Sequence, residues 1–307
     1  LQLSYLRAKS GILEIGFASI LGALPGCGGA IIVVTQFTKK QASFGSVVAV
    51  LTATMGDAAF LLLATRPLDG LLMMVIGVSV GVISGQVVNT FHKSDKFQPT
   101  QASDFSEQPQ CQPKALIFSR PVWKFALMPS LIVAIVIATN TDLSVFGNGI
   151  NHGITLFGSI MALFTVVVWA LSSKGSSYKQ VTSEEAPCNP PSKLTKVLMD
   201  THFVTAWVVA SFMLFEVLVN LLGVDLKAWF SEYAYLAPLV AVAIGLLPGC
   251  GPQIVVMTLY IQGIIPFSAM AANAISNDGD ALFPAIALAP KAALMATVYS
   301  TIPALLL

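Results

Sequence analysis

Two repeated motifs in the sequence contain residue types that can bind a cation. Pro-Gly-Cys-Gly occurs at 25–28 and again at 248–251, and each copy is followed by an aspartate, Asp57 or Asp280, near the middle of an apolar block. Asp278 accompanies Asp280. A carboxylate at the centre of a bilayer costs at least about 2.5–3.5 kcal/mol, so such residues indicate a functional site. Because Lys and Arg are absent nearby in sequence, we expect a bound cation or a proton to neutralise them.

The two Pro-Gly-Cys-Gly motifs predict broken helices. A proline and two glycines within four residues cannot continue a helix. In a membrane, such backbone is stable only where it is buried in protein or faces a water-filled cavity. Free carbonyls of the first half-helix can bind a cation, whereas free N–H groups of the next favour an anion. The residues assigned to the resulting ion path are Pro25, Gly26, Cys27, Gly28, Pro248, Gly249, Cys250, Gly251, Gln253, Thr35 and Thr258.

Neutral oxygen donors surround the aspartates. Asn273 and Asn277 share a helix face with Asp280, because they precede it by seven and three residues. Carboxylates, amides and hydroxyls together form a hard ligand set that suits Mg²⁺, Ca²⁺ or Mn²⁺. Cys27 and Cys250 are interpreted as small packing residues, with soft-metal ligation as the alternative. The predicted metal ligands are Asp57, Asp280, Asp278, Asn277, Asn273 and Thr54.

Other ionisable residues in apolar surroundings form no comparable group. Glu216 is either a proton carrier or a structural carboxylate bonded to a neighbouring helix, whereas Glu14 is nearer a helix end and is expected at the membrane interface. The three histidines do not cluster in sequence, and we expect all of them at the surface: His92, His152 and His202.

The composition requires a membrane environment for these elements. Of the 307 residues, 55% are hydrophobic and 10% are charged, whereas soluble domains carry roughly 25% charged residues. The net charge of +1 gives no basic field for nucleic acid, and four cysteines without C-x-x-C spacing indicate neither a disulfide framework nor structural zinc. The apolar residues fall into nine blocks long enough for helices that cross or enter a bilayer. The sequence therefore predicts an all-α polytopic membrane protein.

An internal duplication relates the two motif regions. Residues 22–60 and 245–283 share 15 identities in 39 positions at an offset of 223, and the offset also pairs Pro67 with Pro290. Broken hydrophobic segments in such repeats point to a transporter's binding site at the repeat interface. If each motif forms a re-entrant hairpin, the halves are inverted, and 14 basic residues lie inside against 2 outside; if every block crosses, the ratio is 11 to 5. The positive-inside rule favours inverted halves.

The predicted organisation follows from this duplication. The first repeat is 1–90, a polar cytoplasmic loop is 91–121, a linking transmembrane helix is 122–140, and the second repeat is 150–307, including a polar loop at 172–202. The chain begins without Met and stops inside an apolar run, so we expect N-terminal helices to be missing and about ten transmembrane helices in the full chain.

The motif pair resembles a known family. Leu-Pro-Gly-Cys-Gly followed by Phe-x11-Gly-Asp-Ala-x-Phe, with Asn-Asp-Gly-Asp-Ala-Leu-Phe-Pro in the second copy, resembles a bacterial family of ten-helix heavy-metal exporters. Its characterised members are MneA-type manganese exporters. The resemblance covers roughly 10–90 and 203–307. It implies an inverted-repeat helical bundle that exports Mn²⁺ from the cytoplasm, with the ion carried by Asp57, Asp278 and Asp280 along a path lined by the two motifs.

The predicted function is secondary-active export of a divalent metal, Mn²⁺ by resemblance, through a midplane site between the repeats. Metal ligands must be deprotonated to bind, so protons compete with the metal and drive its release. The expected partners are the metal, protons and the bilayer of a bacterial inner membrane, with no cofactor, no nucleic acid and no enzymatic activity; a homo-oligomer is left open.

Two other functions remain open at this point. An anion or organoarsenical permease would use the half-helix N–H groups, but the embedded aspartates would repel an anion. An intramembrane aspartyl protease would use paired aspartates, but 277–280 lacks one glycine of the G-x-G-D motif, and duplication is foreign to those enzymes.

Overall fold

The chain is described here by a computed structural model. The residues that it describes are 3, 5–6, 10–92, 97–98, 114–138, 148–172, 193–223, 230 and 234–306. Every regular element within these ranges is a helix. The all-α class predicted from the sequence is therefore confirmed for the described part of the chain.

Five helices with described bounds lie in the first half of the chain, and the first two of these are short. α1 and α2 have 13 and 11 residues. At 1.5 Å per residue they are about 20 and 16 Å long, which is less than the roughly 30 Å of a bilayer core. α5 begins with Pro67, because the fixed φ of proline suits a helix start. The bounds are α1 Gly11–Ala23, α2 Gly28–Thr38, α3 Phe44–Ala53, α4 Ala58–Thr65 and α5 Pro67–Phe91.

Three long helices follow: α6 Lys114–Ala138, α7 Asn148–Ser172 and α8 Lys193–Leu222. α6 and α8 begin inside the segments predicted as polar loops, 91–121 and 172–202. That prediction is wrong for their last residues, because Lys-Ala-Leu-Ile-Phe and Lys-Leu-Thr-Lys-Val-Leu-Met are rich in good helix formers. The remainder of both predicted loops lies outside the described residues, apart from 91–92, 97–98 and Ser172, which ends α7.

Several described helices are long and apolar enough to cross a membrane. α5 meets this criterion over its whole length, as do the segments Phe118–Val136, Gly149–Ser172 and Val197–Leu214. α3 and α4 meet it together as a pair bent by 42°. The chain is therefore a multi-pass membrane protein, as its composition predicted.

Among the described residues of the second half, five helices and two 3-10 turns have defined bounds. α3 and α11 begin at Phe44 and Phe267, and α5 and α13 begin at Pro67 and Pro290; both pairs are 223 positions apart. The helix boundaries thus follow the offset of the sequence duplication. The bounds are α9 Ala237–Gly245, α10 Cys250–Ile261, α11 Phe267–Ser276, α12 Leu282–Leu288 and α13 Pro290–Ala304, with turns at Ala234–Leu236 and Gly279–Ala281.

The chain folds into two compact units, one formed by Leu1–Thr100 with Ser211–Leu307 and the other by Gln101–Ala210. Within the first unit, helices of the two halves pack against each other in a reciprocal way. α2 contacts α12, which corresponds to α4 in the second half, and α4 contacts α10, which corresponds to α2. Both apolar cores of this unit mix the halves, one joining Met55 to Met257 and the other joining Phe44 to Ala293.

A row of glycines on α5 lets it approach α3 closely. A Cβ atom at Gly81 or Gly85 would lie 2.6 Å from the carbonyl oxygen of Ala49 or Gly45, respectively. Gly77, one turn earlier, faces α3 in the same way. Such backbone contact through small residues is typical of helices packed in a membrane. It fixes the position of α3, which leads directly to Asp57.

Candidate metal centre

Each Pro-Gly-Cys-Gly motif forms a break between two short helices, as predicted. Gly26 has a φ of 94° and Gly249 a φ of 103°. Only glycine adopts these values without strain, so the same backbone geometry has been kept in both copies. Pro25 and Pro248 come just before these glycines, Gly28 begins α2, and Gly251 lies in the first turn of α10 against Phe212. The breaks thus set the starting positions of α2 and α10.

The two breaks bring their cysteines together. The Sγ atoms of Cys27 and Cys250 lie 3.2 Å apart, and both side chains are buried. Asp280 joins them: one carboxylate oxygen and the two sulfur atoms lie within 4.8 Å of one another. Asp280 Oδ1 accepts a hydrogen bond from the backbone N–H of Cys250 at 3.1 Å, which holds the carboxylate at the start of α10. These three residues are the core of the candidate site.

Two glycines lie against the sulfur atoms. A Cβ atom at Gly56 would lie 2.4 Å from Cys250 Sγ and 3.3 Å from Cys27 Sγ. A Cβ atom at the equivalent position, Gly279, would lie 3.2 Å from Cys27 Sγ. The backbone just before each aspartate therefore contacts the thiols directly. This contact explains why a glycine precedes both Asp57 and Asp280.

Asp57 lies at the edge of this group. It precedes α4 and makes no capping hydrogen bond to it. Its Oδ1 would lie 3.8 Å from a Cβ atom at Gly26, so the carboxylate is next to the first break. Unlike Asp280 it is exposed, so it is the acidic side chain through which an ion could approach.

Gln253 is a buried polar residue without a partner. Its side chain is 1% exposed, and neither the amide nitrogen nor the amide oxygen has a hydrogen-bond partner among the described residues. Its Oε1 would lie 3.4 Å from a Cβ atom at Gly56, which places it beside the thiols. An unpaired buried amide costs about 1–3 kcal/mol, so it points to a ligand that completes its bonding.

The two asparagines predicted as ligands are hydrogen-bonded to backbone instead. Asn277 Nδ2 lies 3.1 Å from the carbonyl oxygen of Gly245 and 3.2 Å from those of Leu247 and Gly249, and its Oδ1 accepts from Gly279 N–H at 2.9 Å. Asn273 Nδ2 donates to the carbonyl of Ala241 at 2.8 Å. Both amides thus hold the second break against α11.

Asp278 is hydrogen-bonded to α13. It is buried, and its carboxylate accepts hydrogen bonds from the hydroxyls of Thr297 and Ser300, the latter at 3.1 Å. Both hydroxyls belong to α13. Its described contacts therefore connect the turn at Gly279–Ala281 to α13 and not to the cysteine pair.

The predicted threonines lie at different distances from the site. Thr54 is buried next to it: its hydroxyl accepts from Gly56 N–H at 3.4 Å, and its methyl group would lie 3.6 Å from a Cβ atom at Gly279. Thr258 donates its hydroxyl to Ile254 of its own helix. Thr258 and Thr35 each follow their cysteine by eight residues, about 12 Å along a helix, so neither joins the cluster.

The surroundings of two further acidic residues differ from those that the sequence predicted. Glu216 is exposed on α8, where Asn220 Nδ2 donates to its Oε1 at 3.1 Å. Glu14, expected at an interface, is fully buried, and its Oε1 accepts from Ser43 N–H at 2.6 Å. That expectation was wrong because α1 packs along α3, which position within a helix does not report. His202, expected at the surface, is also buried.

The fold and the site define a polytopic membrane protein with a buried thiol and carboxylate cluster where two duplicated helix breaks meet. The chain belongs to the family described as "Putative, 10TM heavy-metal exporter", whose model matches residues 1–307. The family expected from the motif pair is therefore confirmed, and it identifies the protein as a metal transporter. No curated protein and no solved structure shows a significant match to the chain.

Proposed function

We propose that the protein exports a divalent metal cation across the bacterial inner membrane, with the cargo held where the two helix breaks meet. The observation that carries this proposal is the approach of Cys27 Sγ, Cys250 Sγ and an Asp280 carboxylate oxygen to within 4.8 Å of one another. Sulfur and carboxylate oxygen are both metal ligands, and Asp57 adds a second acid beside them. An anion would meet two carboxylates here, which disfavours a permease for anions.

Alternating access by two inverted repeats is the transport mechanism that we propose. The exchanged packing of α2 with α12 and α4 with α10 supports a two-fold relation between the halves. The short paired helices α1–α2 and α9–α10 would each form a re-entrant hairpin that reaches the membrane midplane. Rocking of one half against the other would then expose the shared site to each side in turn.

Proton exchange is the proposed energy source. Carboxylates bind metal only when deprotonated, so a proton that enters from outside favours release of the metal. Asp57 is exposed and has no capping bond to hold it, so it suits this competition better than the buried Asp278. Glu216 stays a proposed second carrier, although it lies exposed on α8. The motif resemblance implies Mn²⁺, for which carboxylate and amide oxygens are suitable ligands, so Mn²⁺ is one of the divalent ions to be compared as cargo.

Flux measurements in proteoliposomes test the function. We expect the wild-type protein to transport a divalent metal from a panel of Mn²⁺, Zn²⁺, Cd²⁺ and Co²⁺, faster when a pH gradient is imposed. Asp280→Asn should lower the initial rate by more than about 100-fold, the upper end of the effect of losing an outer-shell partner. Asp69→Asn is the matched control, because Asp69 accepts a hydrogen bond from Tyr260 and lies outside the cluster.

The outcomes separate the parts of this proposal. Absence of flux for every metal in the panel would refute metal export. Flux that ignores the pH gradient would refute proton exchange but leave export in place. Equal losses in Asp280→Asn and Asp69→Asn would show that the cluster is not the cargo site.

A further inference from the structure

We infer that the cargo site is selective for thiophilic divalent cations, Zn²⁺ and Cd²⁺, over Mn²⁺, with Cys27 and Cys250 as direct ligands. This inference rests on the proposed export function and specifies its substrate class. The sequence favoured a packing role for the two cysteines and an oxygen-only ligand set. The structure brings the thiols together and directs Asn273, Asn277 and Asp278 to other partners.

The sulfur atoms are spaced for a shared ion. Two thiolates bound at about 2.3 Å in tetrahedral geometry lie about 3.8 Å apart. The Sγ atoms of Cys27 and Cys250 are 3.2 Å apart, so an increase of about 0.6 Å in their separation would admit the ion. The two thiol protons leave to water as the metal–sulfur bonds form. Residues 223 positions apart in sequence reach this geometry because both belong to equivalent breaks.

A third and a fourth ligand are available at the same position. Asp280 supplies a carboxylate that the N–H of Cys250 already orients. Gln253 supplies a buried amide oxygen without a hydrogen-bond partner among the described residues. This amide is independent of the cysteine geometry and itself points to a ligand beside Gly56. Two sulfurs and two oxygens make a four-coordinate site.

The identity of the ligands decides the metal class. Thiolates select soft and borderline ions, and four-coordinate sites with sulfur are typical of zinc. Mn²⁺ prefers six oxygen ligands, and the amide oxygen of Asn277 and the carboxylate of Asp278 already accept hydrogen bonds from Gly279 N–H and from hydroxyls of α13. Gly56 and Gly279 contact the sulfur atoms, which leaves little room for an octahedral shell of waters. The site therefore favours Zn²⁺ and Cd²⁺.

A direct test uses cadmium as a spectroscopic probe. Purified protein in detergent is titrated with Cd²⁺, and the ultraviolet thiolate-to-cadmium charge-transfer absorption is measured; Zn²⁺ and Mn²⁺ are then added as competitors. We expect one equivalent of Cd²⁺ to produce the band, and Zn²⁺ to displace it at a concentration at least about tenfold lower than Mn²⁺ requires. Absence of the band in the wild-type protein, which needs no substitution, would overturn the inference.

Serine substitutions show which cysteines produce the cadmium absorption band. Cys27→Ser and Cys250→Ser should each weaken or abolish the band, since serine keeps the size but not the soft ligand. The matched control is the double variant Cys111→Ser/Cys188→Ser, which keeps both cysteines of the site and should retain the band. A band lost only in the control would place cadmium elsewhere and contradict the inference.

Transport data distinguish this inference from the export function. Competition between Zn²⁺ and Mn²⁺ in proteoliposomes should show preferred transport of Zn²⁺. If Mn²⁺ is transported equally well and Cys27→Ser leaves that flux intact, the thiophilic selectivity is wrong and export stands. If no divalent metal moves but the cadmium band is present, the site is thiophilic and the proposed export is wrong.

Discussion

The two helix breaks share a backbone shape but are held in place by different means. In the first, the N–H of Gly26 donates to the carbonyl of Gly56 at 3.0 Å. In the second, the side chain of Asn277 bonds carbonyls along the break, and Asn273 bonds the preceding helix. The residues at the equivalent positions of the first half are Thr54 and Val50, neither of which carries an amide.

The two breaks therefore have the same backbone geometry but different supporting contacts. The two aspartates differ in the same way as the two breaks. Asp280 Oδ1 accepts a hydrogen bond from Cys250 N–H, whereas Asp57 makes no capping hydrogen bond to the helix that it precedes. The second half therefore holds its acid and its break by more hydrogen bonds than the first half does. The first half carries the acid that is free to change position.

The largest effect that this comparison predicts is a loss of folding stability when Asn277, which holds the second break, is replaced. Asn277→Ala should lower the free energy of unfolding by about 2–5 kcal/mol, since each buried polar group left unpaired costs about 1–3 kcal/mol. The equivalent change, Thr54→Ala, removes one long hydrogen bond to Gly56 N–H and should cost about 0.5–1.5 kcal/mol. Denaturant titrations in detergent, followed by circular dichroism, measure both. Equal losses would refute the asymmetry.

Alanine at the glycines beside the thiols tests the shared geometry. Both Gly56 and Gly279 have positive φ, so the backbone strain of about 1–2 kcal/mol is the same in each variant. The clash differs: the added methyl carbon would lie 2.4 Å from Cys250 Sγ in Gly56→Ala but 3.2 Å from Cys27 Sγ in Gly279→Ala.

The measurement for this pair is Cd²⁺ affinity. Gly56→Ala should bind Cd²⁺ about 10–100-fold more weakly, the range found for disturbed outer-shell contacts, and Gly279→Ala should lose less. If Gly279→Ala is the weaker binder, the sulfur atoms lie closer to the second half than the structure places them.

Asp278 offers a test of which acids bind the cargo. Asp278→Asn should cost about 1–2 kcal/mol of stability, because Thr297 and Ser300 can turn their hydroxyls to carbonyls of their own helix. Metal flux should persist, in contrast to Asp280→Asn. Loss of flux with unchanged stability would instead support the role as a ligand that the sequence predicted.

The smallest expected effect concerns the starts of the helices that precede the acids. Ser43 caps α3 by accepting from Ser46 N–H at 3.2 Å, whereas α11 follows Pro266, which has no side-chain oxygen. Ser43→Ala should therefore cost about 1 kcal/mol of unfolding free energy. Pro266→Ala removes no capping bond and should change stability less. A larger loss in Pro266→Ala would show that proline, and not the cap, determines the helix start.

The sequence predicted the helical class, both breaks and the paired acids, because Pro, Gly and buried Asp have strong local meaning. It did not predict that Cys27 and Cys250 meet, since the contact depends on how two distant breaks pack. Helical spacing predicted that Asn273, Asn277 and Asp280 share one helix face, but α11 ends at Ser276 and Asp280 lies in the turn Gly279–Ala281, so this face does not form. The spacing also does not report the hydrogen bonds of the two asparagines to backbone carbonyls, which depend on tertiary packing.

The close contact of α3 with the glycines of α5 has a mechanical consequence. Carbonyl oxygens of Ala49 and Gly45 occupy the places where side chains at Gly81 and Gly85 would begin. Two helices packed this closely cannot slide or separate without losing many van der Waals contacts, so we expect them to move as one rigid unit. A rotation of α5 would therefore be transmitted along α3 to Asp57, which follows Ala49 by eight residues.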